Sequence, residues 1–291
     1  MIKIKKRIIT FDIGGTNISG GVIEFNKKGY EFLDYFEQKN PKNDKMIKKL
    51  LLEKSQEYKK KYKTRKVAVS TSRIVDNKKR VVTQASSVYG KDKFSFDFFK
   101  KARFSIEIEN DGACFARGEY LFGKGEAKGL LTLTLGTGIG GEFISREGEI
   151  LRGFNNSAME VSFIQMKNNN HWSYWEDIAS GSGIEKIFFS KTKKREKAEE
   201  IFNLQEMKNK SAKESIADAQ EFLGMGISNL INIFDPEKIV FGGGLSQRKE
   251  FIKKVIKISK KNVFNKKGKY KFIISNLGRK ANQLGAASLY F

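Results

Sequence analysis

Three glycine-rich turns, each placed directly after a segment of strand-forming residues, constrain the fold of this chain more than any other feature. The turns lie at residues 12–17, 136–141 and 242–244. The apolar, β-prone segments before them lie at residues 8–11, 130–135 and 238–241. Because glycine has no Cβ, backbone N–H groups in such turns can approach phosphate oxygens closely. The pattern predicts a sheet whose strand ends bind phosphate.

The elements between the turns follow a repeated order. Further strands are predicted at residues 19–25, 31–36, 66–70, 104–109, 142–145 and 270–275. Helices are predicted at 43–62, 112–120, 247–262 and 280–290, and from about 176, 195 and 213, the last reaching 234. A strand, a glycine turn and a second strand followed by helices thus occur twice. This weak duplication predicts an α/β protein of two similar lobes facing a cleft.

Two common phosphate motifs are not satisfied. Gly136, Gly138 and Gly141 have the spacing of the dinucleotide fingerprint G-x-G-x-x-G. That motif requires a helix immediately after it, whereas residues 142–145 predict a strand. The spacing G-x-x-x-x-G-K-[ST] of P-loop proteins occurs nowhere in the sequence.

Composition excludes several other classes of protein. The 291 residues contain no apolar run of about 18 residues and no signal-peptide pattern at the start, so we expect a cytoplasmic protein without a membrane partner. One cysteine, Cys114, and one histidine, His171, leave no disulfide and no zinc site that needs two cysteines. The net charge of +23 comes mainly from dispersed lysines. Without a nucleic-acid motif, this charge predicts attraction of small anions and not a nucleic-acid partner.

Taken together, these motifs resemble those of the ROK (repressor, ORF, kinase) family of sugar kinases. The matching segments run in the family order: Asp12-Ile13-Gly14-Gly15-Thr16-Asn17, Ser70-Thr71-Ser72-Arg73-Ile74-Val75-Asp76, Glu109-Asn110-Asp111-Gly112-Ala113, Leu135-Gly136-Thr137-Gly138, Phe241-Gly242-Gly243-Gly244 and Gly285-Ala286-Ala287. The second segment has Ser and Arg where the family has Pro and Gly. The resemblance implies a two-lobed actin-like (ribonuclease H-like) fold. Residues 1–110 plus 276–291 would form the small lobe and 111–275 the large lobe.

The resemblance also implies a site for ATP, Mg²⁺ and a sugar. ATP and its phosphates would contact Asp12, Gly14, Gly15, Thr16, Asn17, Gly136, Thr137, Gly138, Gly243 and Gly244. The sugar would contact Asn110, Asp111, Glu160 and Glu176. Asp111 would be the general base for the sugar hydroxyl, although an aspartate before a helix is also typical of an N-cap. Asp12 would hold Mg²⁺ through water.

One departure from the family pattern concerns the sugar loop. In the segment Ala158-Met159-Glu160-Val161-Ser162-Phe163, Phe163 replaces a histidine that in many family members binds zinc and sugar, and the zinc-binding cysteines are absent. We therefore expect no structural zinc, a surface role for His171, and a loop held by Trp172, Tyr174 and Trp175. Zinc-less relatives occur among N-acetylmannosamine kinases, so that sugar is the leading substrate, phosphorylated on its 6-hydroxyl.

Three alternatives remain. The chain could be a glucokinase of the same family, or a degenerate sugar-binding protein without catalysis. A DNA-binding repressor of the family would need a helix-turn-helix domain before the first turn, and Asp12 leaves no room for one. The resemblance further implies a homodimer that closes on its sugar.

Overall fold

The computed structural model describes residues 6–125, 127–168 and 171–291. Its strands are β1 Lys6–Ile13, β2 Asn17–Asn26, β3 Gly29–Lys39, β4 Lys66–Thr71, β5 Ile74–Asp76, β6 Val81–Thr83, β7 Phe94–Ser95, β8 Ser105–Asn110, β9 Leu130–Leu135, β10 Ile139–Ile144, β11 Gln165–Asn168, β12 His171–Tyr174, β13 Lys238–Gly242 and β14 Lys271–Ile274. Its α-helices are α1 Asp44–Tyr62, α2 Ser86–Tyr89, α3 Phe98–Lys101, α4 Asp111–Phe122, α5 Trp175–Ala179, α6 Gly181–Thr192, α7 Ala198–Glu206, α8 Lys210–Phe234, α9 Lys249–Asn262 and α10 Lys280–Ala287.

The chain divides into two compact units. The first unit contains residues 1–123, 153–157 and 279–291, and the second contains 124–152 and 158–278. In the described part of the chain, no helix combines the length and the apolar character needed to cross a membrane.

The first unit is built on a five-stranded sheet in the order β3-β2-β1-β4-β8. Strands β1, β2 and β3 are antiparallel neighbours, whereas β4 runs parallel to both β1 and β8. Parallel pairing brings the carboxyl ends of β1, β4 and β8 to one edge of the sheet. Polar residues that follow these three strands therefore become neighbours.

Helix α1 shows how local sequence specifies an element of this unit. The side chain of Asn43 caps its first turn by accepting from the Met46 N–H group at 3.1 Å. Ile47, Leu51 and Tyr58 are buried on one face, as the predicted helical spacing requires. The helix ends at Lys63, which adopts a left-handed conformation with φ +55°.

Helix α4 belongs to the first unit, which corrects the predicted boundary at residue 110. The reason is close packing between α4 and α10. Gly285 of α10 lies against the Cys114 backbone, and Gly118 of α4 lies against the Ala281 backbone. Glycine at both contacts lets the two helix backbones approach more closely than side chains would allow.

The second unit contains a four-stranded sheet in the order β10-β9-β13-β14 and a separate two-stranded sheet of β11 and β12. Strand β10 is antiparallel to β9, whereas β13 runs parallel to both β9 and β14. The long helix α8 supplies much of the core, with buried Ile216, Leu223, Ile227 and Leu230 at helical spacing. The hairpin of β11 and β12 and the small sheet of β5, β6 and β7 are elements that the sequence analysis did not predict.

The packing of α4 on α10 gives a first prediction. Replacing Gly285 by Ala would place a methyl group onto the Cys114 carbonyl oxygen. Moving a helix backbone to relieve this overlap costs free energy. Gly285→Ala should lower the free energy of unfolding by about 1–3 kcal/mol, measured by urea unfolding. Gly15→Ala is the control, since nothing lies within 4 Å of the added methyl group there. A Gly285→Ala variant as stable as the wild type would contradict this account of the packing.

Candidate active site

Asp12 lies in the first unit near the carboxyl end of β1. It stands opposite Ser70 in the parallel pairing of β1 with β4, and Ser70 Oγ donates to Asp12 Oδ1 at 2.6 Å. Asn282 of α10 donates from Nδ2 to the same oxygen at 3.3 Å. Desolvation raises the pKa of Asp12, and these two hydrogen bonds partly offset that rise. Both of these donors are neutral, and the charge of Arg279 lowers the pKa of Asp12 further. A carboxylate held by neutral donors suits a metal that keeps its waters.

Asp111 lies at the neighbouring corner of the same unit, where β8 gives way to α4. Asn110 is the N-cap of α4, because its Oδ1 accepts from the N–H groups of Gly112 at 2.8 Å and Ala113 at 3.3 Å. The N-cap interpretation of Asp111 is therefore wrong. Asp111 is the first residue of the helix, and its Oδ1 accepts from the Gly112 N–H group at 3.0 Å.

The electrostatic environment of Asp111 suits a proton acceptor. Desolvation, followed by the negative charge of Asp12, raises the pKa of Asp111 to about 6. A carboxyl group with that pKa is ionised at neutral pH and is a stronger base than an ordinary aspartate. A perturbed carboxyl beside a second one is a recognised mark of a functional site.

The first glycine turn presents unpaired backbone donors. Gly14 N–H donates to the Asn17 carbonyl at 3.0 Å, and Asn40 donates to the carbonyls of Gly14 and Thr16 at 2.7 and 2.8 Å. These bonds fix the orientation of the carbonyl groups of Gly14, Thr16 and Asn17. Within the described residues, the N–H groups of Gly15 and Thr16 donate to no protein acceptor. They are available for phosphate oxygens.

The Asn17 side chain has a different contact from the predicted one. Its Nδ2 donates to Glu37 Oε1 at 2.8 Å, and Arg279 contacts the same oxygen at 2.6 Å. The predicted phosphate contact of Asn17 would require its amide to leave Glu37.

The second glycine turn belongs to the second unit, between β9 and β10. Gly136 N–H donates to the Gly138 carbonyl at 3.0 Å, while the carbonyls of Gly136 and Thr137 accept from Gly181 and Ser182 at 2.8 and 3.1 Å. The amino end of α6 therefore fixes the carbonyls of the turn. Neither Thr137 N–H nor Gly138 N–H donates to any acceptor among the described residues. As in the first turn, the free donors suit an anion.

Glu176 of α5 anchors this turn. Its Oε2 accepts from the Ile139 N–H group at 2.9 Å and lies beside Gly138, where a Cβ would collide with it. Glu176 was predicted to contact the sugar. In the structure the Glu176 side chain contacts the second glycine turn instead. Glu176 therefore supports the predicted phosphate site by holding the backbone of that turn.

The third turn lies next to the second in the same unit. Gly242 pairs with Thr134 in the register of β13 and β9. Gly243 has φ +83°, and a Cβ there would overlap the Leu135 carbonyl. Only glycine fits at this position without strain. The parallel register therefore brings Gly243 and Gly244 beside the strand end that leads to Gly136, as a shared nucleotide site would need.

The predicted sugar loop is held by one of its three aromatic residues. Trp175 is fully buried, and its indole Nε1 donates to the Phe222 carbonyl at 2.9 Å. Trp172 is 68% exposed, so its predicted anchoring role is wrong. Tyr174 is also exposed and meets Phe163 edge-on at 5.3 Å between ring centroids. Thus the buried Trp175 ring anchors the loop in the core, while Phe163 lies on the surface.

Glu160 and His171 are both exposed in the second unit. Glu160 precedes the 3₁₀-helix Val161–Phe163, and its carbonyl accepts from the Phe163 N–H group at 3.2 Å. Among the described residues no group of three or more His, Cys, Asp or Glu side chains could hold a metal ion. A Mg²⁺ bound through water to Asp12 needs no such group, because phosphate oxygens and water supply its other ligands.

The residues that sequence reasoning missed are those that support the carboxylates. Ser70, Asn282 and Asn40 orient Asp12 and the first turn. Ser70 carried a usable signal, since it ends the strand predicted at residues 66–70. Asn282 and Asn40 carried none, because their contacts arise only from tertiary packing.

Comparison with known proteins identifies the lineage. The family model described as ROK family matches residues 8–291. The chain belongs to the ROK family. A glucokinase from Halalkalibacterium halodurans is 31% identical over 180 residues, 54% of this chain and 54% of that protein. An uncharacterised protein from Clostridium perfringens is 35% identical over 156 residues, 52% of this chain and 51% of that protein. The chain thus spans about half the length of these curated relatives.

Two solved structures share the fold over almost the whole chain. The Lmo2764 protein from Listeria monocytogenes, provisionally described as an N-acetylmannosamine kinase, has a TM-score of 0.84 at 24% identity, covering 97% of this chain and 98% of that one. A ROK glucokinase from Streptomyces griseus in complex with glucose and AMPPNP has a TM-score of 0.77 at 23% identity, covering 98% and 99%. The predicted actin-like α/β fold is confirmed.

The anchoring of the second turn gives a second prediction. Glu176→Ala removes the acceptor of the Ile139 N–H group and should speed hydrogen exchange of that amide about 10–100-fold, whereas Glu176→Gln, which keeps a carbonyl acceptor, should change it less. Glu185→Ala is the matched control, because Glu185 accepts from the Ala198 N–H group elsewhere in the same unit. Unchanged exchange at Ile139 in Glu176→Ala would refute the anchoring role.

Proposed function

We propose that this ROK protein is an ATP-dependent sugar kinase. The observation that carries the proposal is the position of the Asp111 carboxyl group where β8 gives way to α4, in the same unit as Asp12 and with a raised pKa. A kinase that phosphorylates a hydroxyl needs a positioned acceptor for the hydroxyl proton and a means of neutralising phosphate charge. Asp111 would supply the first, and Asp12 would supply the second by holding Mg²⁺ through water.

The proposed reaction assigns a step to each residue of the first unit. Asp111 accepts the proton of the sugar 6-hydroxyl as that oxygen forms a bond to the γ-phosphorus, and the bond from the γ-phosphorus to ADP breaks. Mg·ATP, when bound, supplies the phosphoryl group with its charge partly neutralised. Ser70 and Asn282 keep the Asp12 carboxylate in one orientation. Asn110 positions Asp111 by capping α4 and, as predicted from the family, orients the sugar.

The second unit supports nucleotide binding in the proposal. The free N–H groups of Thr137 and Gly138 would contact phosphate oxygens, and Gly243 and Gly244 would border the adenosine. Glu160 would accept hydrogen bonds from sugar hydroxyls. Glu176 keeps its predicted sugar contact only if its carboxylate bonds the sugar while holding the Ile139 N–H group.

The leading acceptor is N-acetylmannosamine. Its support is Phe163, which stands where many ROK members have a zinc-binding and sugar-binding histidine, together with a sugar loop anchored by Trp175. The competing acceptor is glucose, supported by the glucokinase relative. A relative from Vibrio cholerae, 28% identical over 159 residues, is named an N-acetyl-D-glucosamine kinase, which supports an N-acetylated hexose as the acceptor. Pocket shape decides between such sugars.

Two further expectations remain predictions. The homodimer and the Mg²⁺ requirement both rest on the family resemblance. A degenerate sugar-binding protein is the alternative of another class. The retained carboxylates, with the hydrogen bonds that orient Asp12, favour the enzyme.

The kinase proposal predicts turnover. ADP release from Mg·ATP should occur with N-acetylmannosamine and be weaker with glucose, N-acetylglucosamine and fructose. Asp111→Asn should lower kcat about 10²–10⁴-fold because the proton acceptor is lost. Asp218→Asn, an exposed carboxylate of α8 paired with Lys191, is the matched control and should keep full activity. Turnover on glucose alone would assign a glucokinase; ATP binding without turnover on any sugar would favour the degenerate alternative.

The pKa of Asp111 predicts a pH profile. The base acts as a carboxylate, so kcat/KM should be constant above pH 6 and fall about tenfold per pH unit below it. An ordinary aspartate would place that inflection near pH 4. The measurement is kcat/KM from pH 4.5 to 8.5 with saturating Mg·ATP, checked by showing that the protein stays folded throughout. A flat profile down to pH 5 would argue against Asp111 as the base.

A further inference from the structure

Arg73 occupies a strained position in the first unit that the proposed reaction has not used. It lies in the two-residue connection between β4 and β5 and has φ +89°. A side chain with a Cβ rarely adopts this conformation, and such outliers concentrate at functional sites. At this place the ROK pattern has a glycine, which would adopt the same backbone without strain. An exposed arginine at this position has a backbone strain that glycine would avoid, so its contacts can indicate a function.

The backbone of this connection is hydrogen-bonded both to the end of β1 and to the end of β8. Ser72 N–H donates to the Ile13 carbonyl at 3.3 Å, directly before the first glycine turn. The Arg73 carbonyl accepts from Asn110 Nδ2 at 3.0 Å, directly before Asp111. Arg73 is therefore tied on one side to the turn that is proposed to bind phosphate and on the other to the proposed base.

The Arg73 side chain is held in place but mostly uncommitted. Its Nη2 donates to Ser87 Oγ at 2.8 Å. Within the described residues, this is the only hydrogen bond that the guanidinium group makes. The group carries five N–H donors, so most of them remain available. The positive charge also acts on the catalytic carboxyl, since it works against the rise in the pKa of Asp111. A planar cation with free donors is the group that proteins use most for phosphate oxygens.

We propose that Arg73 is a further catalytic residue, whose guanidinium donates hydrogen bonds to oxygens of the phosphoryl group as it reaches the sugar. The inference rests on the proposed kinase function. The ligand of Arg73 is the phosphoryl group that is transferred. After transfer, this group is part of an anionic sugar phosphate ester. Arg73 would stabilise the charge of the phosphoryl group during transfer, while Ser87 and the Asn110 contact keep its position.

Arg73→Gly tests this role and separates it from a structural one. Glycine relieves the backbone strain at φ +89°, so the melting temperature should stay the same or rise. At the same time kcat should fall about 10²–10³-fold, with the KM for the sugar nearly unchanged, because the lost contact forms in the transition state. Arg73→Lys should recover part of kcat, and added guanidinium ion at millimolar concentration should partly rescue Arg73→Gly.

The matched control is Arg103→Gly. Arg103 is also exposed, lies in the same unit and has φ +62°. In the described part of the chain, no hydrogen bond joins it to Asn110 or to the first turn. This variant should equally keep or raise the melting temperature and should leave kcat unchanged. Wild-type kcat in Arg73→Gly, or an equal loss in both variants, would overturn the proposal.

Calorimetry keeps the test independent of turnover. N-acetylmannosamine 6-phosphate and N-acetylmannosamine are titrated into the wild type and Arg73→Gly. The affinity for the phosphate ester should fall about tenfold in the variant, with that for the free sugar unchanged. Equal changes for both sugars, or wild-type protein that binds no phosphate ester, would overturn the role of Arg73. If the wild type binds the ester in this way but turns over no sugar, the kinase proposal fails and the Arg73 site stands.

Discussion

The electrostatic coupling of Asp12 and Asp111 is the interaction on which the rest of the account depends. Parallel pairing of β1, β4 and β8 brings the ends of their strands to one edge, which places two carboxyl groups in one desolvated region. Desolvation raises the pKa of both groups, and the negative charge of Asp12 raises that of Asp111 further. Ser70 and Asn282 partly offset the desolvation of Asp12, while Asp111 keeps a raised pKa and with it the basicity that proton transfer needs. Neighbouring carboxylates with different partners can therefore take different roles.

The glycine turns impose a second constraint, on the backbone instead of on side chains. In the second and third turns, hydrogen bonds or close packing fix the carbonyl groups, and two N–H groups of the second turn remain free. The first turn has the same arrangement through Asn40. Such a turn suits phosphate because, without a Cβ, its free N–H groups can approach phosphate oxygens closely.

Much of this could be predicted from sequence, and the remainder depended on tertiary contacts. Strand ends with glycines, and the segment from Glu109 to Ala113, were sufficient for the fold and for selecting Asp12 and Asp111 as candidates, whose roles stay predictions. The boundary at residue 110 was misplaced because α4 is held by α10, about 170 residues further along the chain. The anchoring role of Trp172 was wrong because no residue of β12 is buried and the Trp172 ring is exposed, whereas Trp175 begins a helix packed on α8. The contact of Glu176 with the Ile139 N–H group had no signal in the sequence, because either residue alone is ordinary.

The most direct test of the central claim is a titration of the aspartate carboxyl carbons by ¹³C NMR in protein labelled at aspartate. One resonance, identified by its loss in Asp111→Asn, should titrate near pH 6, and in Asp12→Asn its midpoint should move to lower pH because the neighbouring charge is gone. A midpoint near pH 4 in the wild type, or one that does not respond to Asp12→Asn, would show that the two carboxyl groups are not coupled and would remove the physical basis for Asp111 as the base.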